Sequence, residues 1–244
     1  MILDAIITTW SRHDVLLVAG ASLLSVLLWR VPLLGLLFYP FRLLNTFIHE
    51  LGHGLAAVLT GGRFERFVVY PNFEGLALIR GGNRLLVVSA GYLGSALFGG
   101  ALILLSATTL AERTLLLGLG AFLGLLCLSF VRNGFGFLSG LLLAAGLGAA
   151  GWYLDDSPAT LLFALLALQM PLAATLSIVD LLRLSVRAPR AGRLSDAEVL
   201  AQQTRIPALF WALLWFLCAV AIVLLTVTAA YSDRPLLPPT PFAP

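Results

Sequence analysis

Apolar residues along this chain fall into long runs, separated by short stretches rich in arginine, glycine and proline. Crossing roughly 30 Å of hydrocarbon takes about 20 apolar residues at 1.5 Å rise each. Runs at 15–29, 33–59, 85–106, 114–131, 135–154, 160–184 and 207–231 meet or approach that length, which predicts about seven transmembrane helices. The first is short and ends at Arg30 and Pro32. His13 and Asp14 precede it and no small-residue cleavage site stands out, so it is expected to stay in the membrane rather than leave as a signal.

The pattern changes after Gly61-Gly62. Residues 63–84 are more polar, with Phe64, Phe67, Val68, Val69 and Tyr70 on one side of Pro71-Asn72-Phe73-Glu74-Gly75 and Leu76 to Ile79 on the other. Aromatic and β-branched residues flanking a turn-rich segment predict a short hairpin at the membrane face. A second polar stretch, 185–206, is expected to be a cytoplasmic loop, and within it Leu194-Ser195-Asp196-Ala197-Glu198 reads as the start of a capped surface helix. Residues 232–244 are proline-rich and expected to be disordered. The predicted fold is therefore an all-α polytopic membrane protein, one integral domain over 1–231 with a small β-hairpin-like insert after its second span.

Composition agrees, with 60% hydrophobic and only 11% charged residues, far from the balance of a soluble domain. All 15 basic residues are arginines, most of them between the apolar runs. That placement orients a membrane protein and gives no reason to invoke nucleic acid. In a seven-span arrangement the N-terminus, the 63–84 insert, Arg132 and the 183–205 stretch share the arginine-rich side. Arg30, Arg113, the Asp155-Asp156 turn and Arg234 fall on the other. The positive-inside rule then places the N-terminus in the cytoplasm and the C-terminus outside it. Cys127 and Cys218 lie in apolar runs without metal-ligand spacing and read as small buried hydrophobes.

Candidate chemistry sits in the second run, at His49-Glu50-Leu51-Gly52-His53. Residues four apart share a helix face, so His49 and His53 can offer two imidazoles to one zinc ion, with Glu50 one step round to act on its water. Catalytic zinc usually takes three protein ligands, and the only other histidine is His13. A carboxylate at membrane depth is the expected third. Asp180, in an apolar run, is the outstanding candidate, since an uncompensated carboxylate there costs about 2.5–3.5 kcal/mol. Its alternative is to pair with Arg183 or Arg187, or to cap the polar stretch. Asp155 and Asp156 read as solvated turn residues. Asn45, one turn before His49, would orient a ligand, bind substrate or be satisfied by a neighbouring span.

These residues resemble the site-2 protease family of intramembrane zinc metalloproteases, and more closely its compact bacterial, M50B-like branch. The resemblance rests on Phe47-Ile48-His49-Glu50-Leu51-Gly52-His53-Gly54, the insert that follows, Ser89-Ala90-Gly91-Tyr92-Leu93-Gly94-Ser95, and Asp180 on a late span. It implies zinc held by His49, His53 and Asp180, with Glu50 as the base that activates water for peptide hydrolysis. Three features depart from the family's pattern, one being the two spans at 114–131 and 135–154 that intervene before the aspartate helix. Asp180 lacks the glycine that commonly follows the family's aspartate, and its Ala-Gly-Pro-x-x-Asn segment is Ala90-Gly91-Tyr92-Leu93-Gly94-Ser95 here, with Ser95 in place of the asparagine.

The implied substrate is a transmembrane or membrane-proximal protein in the lipid bilayer, and the implied location a bacterial plasma membrane. A helical substrate must unwind before cleavage, and the insert offers a sheet edge to hold the extended strand. Asn72 and Ser95 are candidate substrate contacts, as is Asn133 at a span junction, although turn roles explain Asn72 and Asn133 as well. Two other readings fit the spacing: a non-catalytic scaffold or transporter retaining a metal site, and a zinc protease acting on prenylated or soluble peptides at the membrane face. Oligomeric state has no signature in the sequence.

Overall fold

The computed structural model describes residues 20, 24–25, 27–28, 31–185 and 194–231. The expected tail at 232–244, the N-terminus and most of the first apolar run lie outside the described residues. Helix α1 (Pro32–Leu59) carries the His-Glu-x-x-His segment. Strands β1 (Arg63–Val69) and β2 (Gly75–Arg80) follow, then helices α2 (Arg84–Ser106), α3 (Glu112–Phe130), α4 (Gly134–Tyr153), α5 (Asp156–Ser185), the short α6 (Asp196–Thr204) and α7 (Ala208–Tyr231).

Helices α2, α3, α4, α5 and α7 are long and apolar enough to cross a membrane, five among the described residues. They coincide with the third to seventh apolar runs. Helix α1 is longer than most of them, but Arg42, Asn45, His49, Glu50 and His53 interrupt its apolar sequence. The chain is thus an integral membrane protein with five such helices, and the count of seven is not reached within them. Helix α2 is central, packing against α1, α5 and α7, while α3 and α4 form a pair that packs on α5, α1 and β1. Close approach in that pair depends on Gly120, where a Cβ would lie 2.7 Å from the Ala144 carbonyl oxygen and the Gly148 amide. One buried cluster joins α1, β1, α3 and α5 through Phe47, Phe67, Leu123 and Phe163. Another joins α2, α5, α6 and α7 through Ala96, Ile178, Leu200 and Trp215.

Strands β1 and β2 pair antiparallel as expected, Phe67 opposite Ala77 and Val69 opposite Gly75, with an irregularity between Phe64 and Arg66. The hairpin folds back along α1 rather than lying across its end. The Tyr39 hydroxyl donates to the Pro71 carbonyl (3.0 Å) and the Thr46 hydroxyl to that of Phe73 (3.1 Å), so the tip reaches about 30 Å of helix back from Leu59. Phe73, at φ 67°, presents its ring to the Arg42 guanidinium 3.9 Å above it. Polar backbone packed against the helices must be satisfied within the protein. On β1 it is: Asn133 donates to the Val69 carbonyl (2.7 Å) and accepts from its amide (3.1 Å), while the Arg132 amide donates to Phe67 (3.0 Å).

Candidate metal centre

On α1 the spacing works as the helix period requires. His49 and His53 stand one turn apart with their Nε2 atoms 3.0 Å apart. The third group is Asp196, whose Oδ2 lies 3.2 Å from His49 Nε2 and 3.4 Å from His53 Nε2. Among the described residues this is the one group of three or more such side chains able to hold a metal ion. Three ligands 2.0–2.2 Å from one tetrahedral ion stand roughly 3.3–3.6 Å apart, and the observed triangle is within a few tenths of an ångström of that.

The donor chemistry also fits. The Nδ1 of His53 lies 2.8 Å from the Val87 carbonyl oxygen, which can only accept, so the proton sits on Nδ1 and the Nε2 lone pair points into the triangle. Two imidazole nitrogens and a carboxylate oxygen converging on one point are held together by a shared cation, either a proton on an imidazole or a metal ion. At Asp196, loss of water opposes the charge, but His53 and His49 outweigh it and hold the carboxyl well below the usual carboxylate range.

Each side chain is positioned by a different element. Glu50 is 4% exposed, and the hairpin presses on it at Gly75, where any Cβ would fall on its carboxyl group. On α2, a Cβ at Gly91 would lie 2.5 Å from His53 Nε2 and 2.6 Å from His49 Nε2. Gly52 similarly lets the Ala90-Gly91 backbone approach α1. Asp196 opens α6, whose Ser195 cap and Glu198 form the reciprocal capping box that the sequence signalled. Ala197 and Leu200 of α6 are fully buried against α2, α5 and α7, and this fixes the helix where its first residue meets the histidines.

Asp180 is not brought to the histidines. Its carboxylate, 63% exposed, takes the Arg183 guanidinium at 3.1 Å, so the pairing alternative describes its contact and Asp196 stands where Asp180 was expected. It still lines the same cavity of about 1500 Å³, together with His49, Glu50, His53 and Asp196. Asn45 lines it too, 6% exposed, its Oδ1 buried without a hydrogen-bond partner among the described residues. Asn72 lines its hairpin side, exposed, accepting from the Glu74 amide as a turn residue does. Ser95 is fully buried with an unpartnered hydroxyl and is not among the lining residues, and Asn133 is spent on β1.

Sequence reasoning missed Asp196, Gly75, Gly91 and Tyr92 as neighbours of the centre. The signals were slight: an aspartate at the first position of a capped helix with apolar residues behind it, a glycine flanking the hairpin tip and another two turns into α2.

A helix offering two histidines and a glutamate, closed by a carboxylate from outside it, could hold a metal ion. The sequence profile described as Peptidase M50B-like matches residues 16–226. The chain belongs to that family of membrane peptidases, within the site-2 protease group. No curated protein and no solved structure matches it.

Proposed function

We propose that this protein is a zinc-dependent intramembrane endopeptidase, with His49, His53 and Asp196 as the metal ligands and Glu50 as general base. One observation carries the reading: three ligand atoms converge within 3.4 Å of one another, with the buried Glu50 next to His49 on the same helix. Bound there, zinc would supply Lewis-acid polarisation of the scissile carbonyl and lower the pKa of water toward ~7.

The chain's own residues do the remainder. Glu50 takes the proton of the attacking water and returns it to the leaving amine, as general acid–base catalysis requires. Its burial beneath Gly75 keeps competing bulk water away from that proton transfer. Asn45, with an unsatisfied amide oxygen in the cavity, accepts a backbone N–H of the substrate. The hairpin holds the extended substrate by strand addition on β2. Support comes from its asymmetry: residues 131–133 occupy β1's outer side, β2 pairs with no second strand among the described residues, and Leu76, Ala77 and Ile79 of β2 line the cavity.

The arginines of the hairpin, with Arg132, Arg183 and Arg205, gather at the end of the helices nearest the metal site, and Arg113 at the other. This favours a cytoplasmic position for the site in a bacterial plasma membrane, and an extracytoplasmic C-terminus. The test is metal content of the purified protein together with cleavage of transmembrane peptides by wild type and Glu50→Gln. Zinc with cleavage that falls by about 10²–10⁴-fold in the variant is expected. Zinc without Glu50-dependent cleavage would favour a scaffold that retains a metal site, and absence of zinc would remove both readings.

A further inference from the structure

The two histidines are oriented in different ways. His53 is held through its second ring nitrogen by the Val87 carbonyl, the usual device for a metal-binding imidazole. His49 makes its hydrogen-bond contacts through Nε2, among the described residues, and what meets its ring is another ring. Tyr92 stands edge to face with it, centroids 4.6 Å apart at 80°. Tyr92 in turn stacks on Trp215 of α7, 5.3 Å away at 21°, and Trp215 is 1% exposed. One turn earlier on α7, the Trp211 indole N–H donates to the Thr204 hydroxyl at the far end of α6 (3.2 Å), the helix that starts with Asp196.

We infer that Tyr92 and Trp215 are positioning residues that fix the His49 imidazole in register with His53 and Asp196. This inference rests on the metal assignment above. Gly91 lets the α2 backbone close on the two imidazoles, and the next residue, Tyr92, sets its ring edge to face against that of His49. Trp215, stacked on Tyr92 and 1% exposed, is the wall behind it. Because α7 also grips α6 through Trp211, one helix face sets both His49 and Asp196, and the two halves of the centre cannot drift independently. The ring is what matters at position 92, not the hydroxyl.

The experiment uses the full chain in detergent micelles with Co²⁺ as probe, since cobalt takes the same nitrogen and oxygen ligands and reports their geometry by its visible absorption. Tyr92→Leu and Trp215→Leu are expected to weaken cobalt binding about 10-fold or more, the loss typical of removing an outer-shell partner, and to alter the absorption bands. Tyr92→Phe keeps the ring and should stay within about twofold of wild type with the same bands. Trp152→Leu, a change at a residue 66% exposed on α4, controls for loss of a large aromatic. If Trp215→Leu does not fold, the contrast between leucine and phenylalanine at 92 decides. Wild-type affinity and bands in Tyr92→Leu would overturn the inference and leave the metal site standing. Wild-type protein that binds no cobalt, or binds it undiminished in His53→Ala, would overturn the metal assignment and this inference with it.

Discussion

Asp180 and Asp196 line one cavity, yet one meets the histidines and the other does not. Asp180 belongs to a long apolar helix, where the sequence alone asks for a compensating cation. Its side chain emerges near the end of α5, mostly exposed and beside Arg183, so the desolvation that would demand one is never incurred. Asp196 belongs to a polar stretch where nothing about its neighbours suggests depth. Ala197 and Leu200 nevertheless draw α6 into the core, and the aspartate at its tip is carried to the imidazoles. The hydropathy around a residue reports where its backbone runs. Where the side chain ends is a matter of tertiary packing.

The sharpest way to break that contrast is to remove each carboxylate in turn. Asp196→Ala should lower zinc affinity by more than about 100-fold, beyond the range for an outer-shell partner, as read by competition with a chelating dye. Gly91→Ala is expected to come next. Its new methyl would stand 2.5 to 2.6 Å from both imidazole Nε2 atoms, so the histidines must move, and a loss of about 10-fold in the same assay follows. Asp180→Asn should do least. The exposed pair with Arg183 is worth about 0–1 kcal/mol, so zinc affinity should change less than about threefold and thermal stability hardly at all. Equal losses from Asp180→Asn and Asp196→Ala would abolish the distinction drawn between them.

Much of the architecture was legible because it rests on local periodicity. Five apolar runs became α2, α3, α4, α5 and α7 with ends shifted by a few residues, and the turn at 71–75 became the hairpin tip. Ser195 and Glu198 announced α6 through the capping box. His49 and His53 met on one face because spacing alone decides that. The third carboxylate was not legible, since it depends on where α6 docks, which is settled by contacts with α2, distant in sequence, as well as with the adjoining α7. The depth of the hairpin was hidden for the same reason: Tyr39, Thr46 and Arg42 hold its tip, and no pattern within 63–84 points to them. Asn133 was recognisable as a junction residue. Its role as a two-pronged partner of Val69 needed the fold.

That partnership has a consequence for the company the hairpin can keep. A bare sheet side will pair with any extended chain, including another copy of the same protein, and natural proteins block such sides where they can. Here residues 131–133 seal β1, and among the described residues no strand pairs with the outer side of β2, so the two-stranded sheet can grow there. Stray association through β1 is excluded, and a strand that joins at β2 arrives alongside the cavity that holds Glu50.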